Sequence, residues 1–327
     1  MFLRFFRKFS TATPFLLVFV GLALWMDGWP GQAPAIIPSS PAPLFQAIEH
    51  LFVQYPAPGF FIALVFLVGQ AFYLNFIVTS QGLLDRQSFL TAIIYIVLMS
   101  SHPGLLHLHP ALISNFFLMI ALHQVFKSYK EDTVLVEVFN VGMLIALAGL
   151  FYYPALLFLL FLFISLFIFF LFSLRSVIAA FMGFAAPFFF VAVYFFLADS
   201  LPNLLENLSA GIDMVRFPAF RFSPWSAVLL VALGVIGLLS YAHLVFSHIP
   251  DKPIRIRKRF WVLVYFFLTS LLSIFIVANF QFFHLALVFL PLSVGMAVFF
   301  QQARSKRLSE MVFLLLIVII LLGKWAA

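Results

Sequence analysis

The stretch Phe139–Leu160, FNVGMLIALAGLFYYPALLFLL, carries no charged side chain from end to end. A strand needs far fewer apolar residues. A bilayer core about 30 Å thick needs about 20 of them in a helix. Backbone amides cannot stay unpaired in hydrocarbon, so a run of this length reads as helical wherever it crosses. Pro154 punctuates the run, and we read one span ending near Phe151 and another beginning there.

Runs of the same kind recur on both sides, at roughly 11–26, 58–79, 88–101, 110–126, 133–151, 154–173, 176–198, 225–247, 260–280, 283–301 and 309–325. With 65% of residues apolar and 9% charged, the chain falls outside the soluble globular class. No alternating pattern suggests an outer-membrane barrel. The sequence therefore predicts an all-α fold. It is a polytopic transmembrane helix bundle of about 11 spans, with short interfacial amphipathic helices on the outer face. It forms a single membrane domain, 1–327, in which the short third span makes a hairpin with the fourth.

The net charge of +7 is distributed by topology. With the N-terminus inside, fifteen of the eighteen basic residues face the cytoplasm, including those of KPIRIRKRF at 252–260, and only Arg216, Arg221 and Lys324 fall outside. This pattern argues against nucleic acid as a partner. Arg4, Arg7 and Lys8 precede the first apolar core as in a signal peptide, but the core ends in Trp-Met-Asp and reads as an uncleaved anchor. The charge asymmetry places the chain in a bacterial-type inner membrane, with the C-terminus periplasmic. Cysteine is absent, which removes disulfide and thiolate chemistry.

Two outer segments are long enough to carry function, 27–57 and 199–224. The first opens with DGWPGQAPAIIPSSPAP and continues as LFQAIEHLFVQY, with Leu44, Ile48, Leu51, Phe52 and Tyr55 at helical spacing. The second predicts a short amphipathic helix around Leu201 to Met214, followed by an aromatic, basic stretch with Arg216 and Arg221. Such helices lie in the interface rather than across it.

The outer face collects Asp27, Glu49, His50, His102, His107, His109, Asp199, Glu206, Asp213, Arg216, Arg221 and His284. A carboxylate there can act as a general base, and an arginine can grip a phosphate with its bidentate fork. Inside the membrane Gln70, Asn75, Asn115, His123, Glu137, Asn140 and His243 are polar, and Glu137, His123 and His243 would serve a proton-coupled transporter. Gly142, Ala146 and Gly149, at spacings of four and three, predict a face that a second helix approaches closely. No metal-ligand spacing or cofactor fingerprint is present, and cofactors are left open.

The order of these elements, together with HPALISNFFLMIALHQVFK at 109–127 and the opening stretch, resembles the integral-membrane glycosyltransferases of the C superfamily over residues 11–198. The middle portion is also similar to a family of bacterial polytopic inner-membrane proteins with no assigned activity. The transferase resemblance implies a polyprenyl-phosphate-linked sugar as substrate and Asp27 as the catalytic acid of the first outer loop. Arg216 or Arg221 would hold the donor phosphate. The first loop carries a single acid rather than an adjacent pair. The alternative is a non-catalytic membrane subunit that partners other envelope proteins in an assembly or secretion complex.

Overall fold

The computed structural model describes residues 2–7, 11–28, 42–84, 88–128, 134–213, 224–277, 280–303 and 305–326. Within them the chain is helical, with no strand. The helices are α1 (Phe2–Arg7), α2 (Thr13–Trp25), α3 (Pro43–Gln54), α4 (Pro56–Ser80), α5 (Leu90–Met99), α6 (Pro110–Ser128) and α7 (Val134–Phe151), then α8 (Phe158–Phe169), α9 (Leu174–Leu197), α10 (Leu201–Asp213), α11 (Pro224–His243), α12 (Ile254–Ile274), α13 (Ala286–Gln302) and α14 (Lys306–Ala326). Helix occupies each of the eleven intervals expected from hydropathy. Among the described residues six stretches are long and apolar enough to cross a membrane: 56–80, 110–128, 134–151, 174–197, 224–248 and 282–302.

Burial separates the middle of the bundle from its rim. Every residue of α5 is buried, and 94% of the apolar window of α13 is buried against 22% for α9. Their burial on all sides makes α5 and α13 the axis of the bundle. At about 15 Å, α5 is too short to cross a bilayer alone.

Four helices meet at one chain of hydrogen bonds on this axis. The Tyr95 hydroxyl donates to Gln70 Oε1 at 2.6 Å, and Gln70 Nε2 donates to the Leu112 carbonyl at 2.7 Å. Asn115 Nδ2 donates to the Ala286 carbonyl at 2.7 Å and lies 3.4 Å from the Tyr95 oxygen. The polar residues Gln70 and Asn115 thus join α4, α5, α6 and α13.

Small residues set the tightest helix contact. A Cβ on Gly142 of α7 would fall 2.3 Å from the Ala180 carbonyl oxygen of α9, and one on Gly183 would fall 2.0 Å from the Phe139 oxygen. Backbones this close exclude any side chain larger than hydrogen. Of the predicted small-residue face, Gly142 meets the second helix and Ala146 is buried, whereas Gly149 accommodates Leu156 of the turn that follows α7. Gly183 supplies the other half.

The ends of the chain are tied together. Arg7 donates to the Phe300 carbonyl at 2.9 Å and to Ser309 Oγ at 2.8 Å, while Lys324 pairs with Asp27 at the opposite end. α2 and α14 therefore run in the same direction. Arg259 with the Gln81 carbonyl and Tyr152 with His284 also join residues that the hydropathy reading places on one side.

Gly142→Leu and Gly183→Leu should each drive α7 and α9 apart and lower the thermal midpoint of the detergent-solubilised protein, at a cost of roughly 1–3 kcal/mol or more. Gly234→Leu, where a Cβ meets nothing within 4 Å, should leave the midpoint nearly unchanged.

Candidate functional site

One end of the bundle is built where α2 stops. Trp25 is fully buried, and its indole N–H donates to Ser100 Oγ at 3.0 Å. This anchors the span at the α5 end. Asp27 follows in a single 3-10 turn, Met26–Gly28, which rests on the α5–α6 connection. A Cβ on Gly28 would lie 2.9 Å from the Leu106 backbone oxygen.

Lys324 Nζ reaches Asp27 Oδ2 at 3.4 Å and donates to the Leu24 carbonyl. The lysine side chain is 4% exposed and the aspartate side chain 62%. A buried ammonium needs a counter-ion, and breaking such a pair leaves an uncompensated charge. Asp27 therefore holds α14 against the end of α2 while keeping its carboxylate accessible.

Beside it lies an imidazole cluster on the 100–109 connection and the turn before α13. His102 Nδ1 accepts the Gly104 N–H at 3.0 Å, and its ring stacks on Phe282 at 3.7 Å. His109 caps α6, its Nδ1 accepting the Leu112 N–H at 3.1 Å. A neutral imidazole that accepts at Nδ1 carries its proton on Nε2, so both rings present an Nε2–H. His109 Nε2 and His107 Nε2 are buried without a hydrogen-bond partner. Tyr152 and His284 share a hydrogen bond, with their rings stacked at 5.6 Å.

Burial pushes the His102 and His107 imidazoles down to about 4. His109 lies well below its ordinary value, through burial first and then through the facing His107 and His284. These rings are uncharged donors at neutral pH. They suit an uncharged acceptor and cannot neutralise a phosphate. Among the described residues no group of three or more His, Cys, Asp or Glu is arranged to hold a metal ion.

α3 and α10 also meet. Gln46 of α3 and Asn207 of α10 exchange amide hydrogen bonds at 3.2 and 2.8 Å, so the amphipathic helices predicted from both segments are joined. In α3 the inward anchor is Phe45, fully buried, whereas the expected contacts Leu51 and Tyr55 are exposed. Arg216 and Arg221 lie outside the described residues.

A family model described as a family of unknown function, DUF6427, matches residues 44–326, most of the chain. The chain belongs to DUF6427. No curated protein and no solved structure matches it. In this DUF6427 member the imidazole connection, α3 from Leu44, α10 and Lys324 fall inside the matched region, and Asp27 precedes it.

The polar residues toward the opposite end of the bundle divide into separate groups. Glu137 pairs with Lys127 at 3.5 Å, and His123 bonds the Tyr73 hydroxyl at 2.9 Å. His243 instead bonds Gln302 at 3.2 Å, and the Gln302 amide also bonds His248 in the π-helical turn Leu244–His248. His123 and His243 thus share no partner in these contacts. The sequence reading missed the Asp27–Lys324 pair, although Lys324 stood out as a cation at the outer end of an apolar helix. Nothing in the sequence singled out Tyr152.

A histidine that is neutral in the folded protein and titrates near 6.5 when unfolded makes the unfolded state the better proton binder between those values. The thermal midpoint should be flat above about pH 7 and fall as pH drops from 6.5 toward 4. His109→Asn, which keeps a capping oxygen, should flatten that slope by up to one proton while preserving the midpoint near pH 7.

Proposed function

We propose that this chain is a multi-spanning bacterial inner-membrane protein of about eleven spans that transfers a glycosyl group from a polyprenyl-phosphate donor at the outer face. The observation carrying this reading is the Asp27 carboxylate, accessible at 62% and oriented by a buried ammonium, beside two interfacial helices tied to one another. In this reaction Asp27 takes the proton of an acceptor hydroxyl as that oxygen bonds the anomeric carbon. The bond from that carbon to the phosphate oxygen breaks, and polyprenyl phosphate departs. Arg216 or Arg221 holds the departing charge. Orientation follows the positive-inside rule, with α2 and α14 both running outward.

The second reading rests on the same pair. A buried Lys324 alone accounts for Asp27 as its counter-ion, and a chain with that arrangement can serve as a non-catalytic subunit of an envelope complex. A transporter reading has less support, because His123 and His243 have separate partners.

A double substitution separates catalysis from clasp. In membranes supplied with polyprenyl-phosphate-linked sugar, Asp27→Asn should lower turnover by roughly 10²–10⁴-fold, the usual contribution of a general base. It should also lower the thermal midpoint. Asp27→Asn with Lys324→Met removes both charges and should restore the midpoint, with turnover still lost. Turnover that returns with the midpoint would assign Asp27 to the clasp alone. Reporter fusions within 248–259 should locate that connection in the cytoplasm, and a periplasmic signal would put the proposed site on the wrong face.

A further inference from the structure

The inner end carries a second arrangement, unrelated to Asp27. The turn between α8 and α9 is closed by Phe170 in the left-handed conformation, φ 61° and ψ 32°. Its N–H bonds the Phe167 carbonyl, and the Leu171 N–H bonds the Leu166 carbonyl at 2.9 Å. Glycine is the ordinary residue at such a helix end, and a bulky side chain there costs about 1 kcal/mol. The cost brings no packing in return, because the Phe170 ring is 84% exposed.

What the strained turn does is hold that ring under a cation. Lys258 Nζ lies 4.2 Å from the Phe170 ring centroid. Beside it, Phe167 and Phe172 stack at 4.0 Å and 18° with both rings exposed, an aromatic ledge on the outside of the bundle. Arg175, just beyond the turn, and Arg257, on the same α12 as Lys258, are exposed and form no ion pair with any described residue. Arg255 Nε is buried with no hydrogen-bond partner. Cations crowded into the first turns of α12 also oppose the positive end of its dipole. The region thus combines exposed cations with exposed aromatic surface.

We propose that the α8–α9 turn and the start of α12 form a binding site for an anionic phospholipid, whose headgroup phosphate is held by Lys258, Arg175 and Arg257 while an acyl chain lies along Phe167 and Phe172. Charge complementarity selects the lipid. Basic segments beside a membrane attract anionic headgroups at about 1 kcal/mol per residue, and aromatic rings favour the boundary between headgroup and chain. Phe170 is the joint between the two parts, because its ring is held at that boundary and positions the ammonium above it.

The test measures the thermal midpoint of the full chain in detergent with added phosphatidylglycerol, phosphatidylcholine or inorganic phosphate. A ligand present at 100 times its dissociation constant should raise the midpoint by roughly 5 °C. Phosphatidylglycerol should do so, with phosphatidylcholine and free phosphate giving little. The variant with Arg175→Gln, Arg257→Gln and Lys258→Gln should lose most of the gain. Phe170→Gly relieves the left-handed strain, so it should fold at least as stably as the parent and still lose part of the gain. Equal shifts from both lipids, an equal shift from inorganic phosphate, or an undiminished response in Phe170→Gly would each overturn the proposal. If the charge variant does not fold, Phe170→Gly decides.

Discussion

The hydrogen bonds joining Gln70, Tyr95 and Asn115 are what the rest of the bundle is arranged around. In hydrocarbon, apolar helix surfaces gain little by meeting one another, because lipid chains are equally apolar. Directional polar contacts and close backbone approach must then fix which helices neighbour which. The Gln70 side chain can satisfy both ends of its amide only with α5 on one side and α6 on the other, and Asn115 extends the same chain to the start of α13. Once these four helices are registered, the other contacts follow as pairs: α9 against α7 through Gly142 and Gly183, and α14 against the N-terminal helices through Arg7 and Asp27.

Helix positions were legible in the sequence because each apolar run has one stable backbone solution in a bilayer. The amphipathic helices at 43–54 and 201–213 were legible for a related reason, since their polar faces interrupt the hydropathy at helical period. Which helices lie at the centre was not legible. α5, α9 and α13 are all strongly apolar, yet α9 lies at the rim, because hydropathy cannot distinguish a face touching lipid from one touching protein. Gly142 could be picked out as a close-approach position, but its partner Gly183 could not, because pairing joins residues distant in sequence.

The outer site shows the same division. Asp27 was visible as an acid at a span end, and the histidines were visible as an outer cluster. Their relations were hidden. Lys324 is nearly 300 residues from Asp27, and the tautomers of His102 and His109 follow from backbone amides that only the folded turns place. Burial then makes imidazoles that could be cations at neutral pH into neutral donors. That difference weakens any reading in which they serve as the phosphate clamp.

The burial of α13 bears on how the protein is built. It is the second helix from the C-terminal end of the set described, yet it occupies the middle, with Ala286 accepting from Asn115 and Pro291 from Tyr241. Because Ala286 and Pro291 are made after most of the other helices, the Asn115 amide and the Tyr241 hydroxyl reach their native acceptors only once α13 has been synthesised.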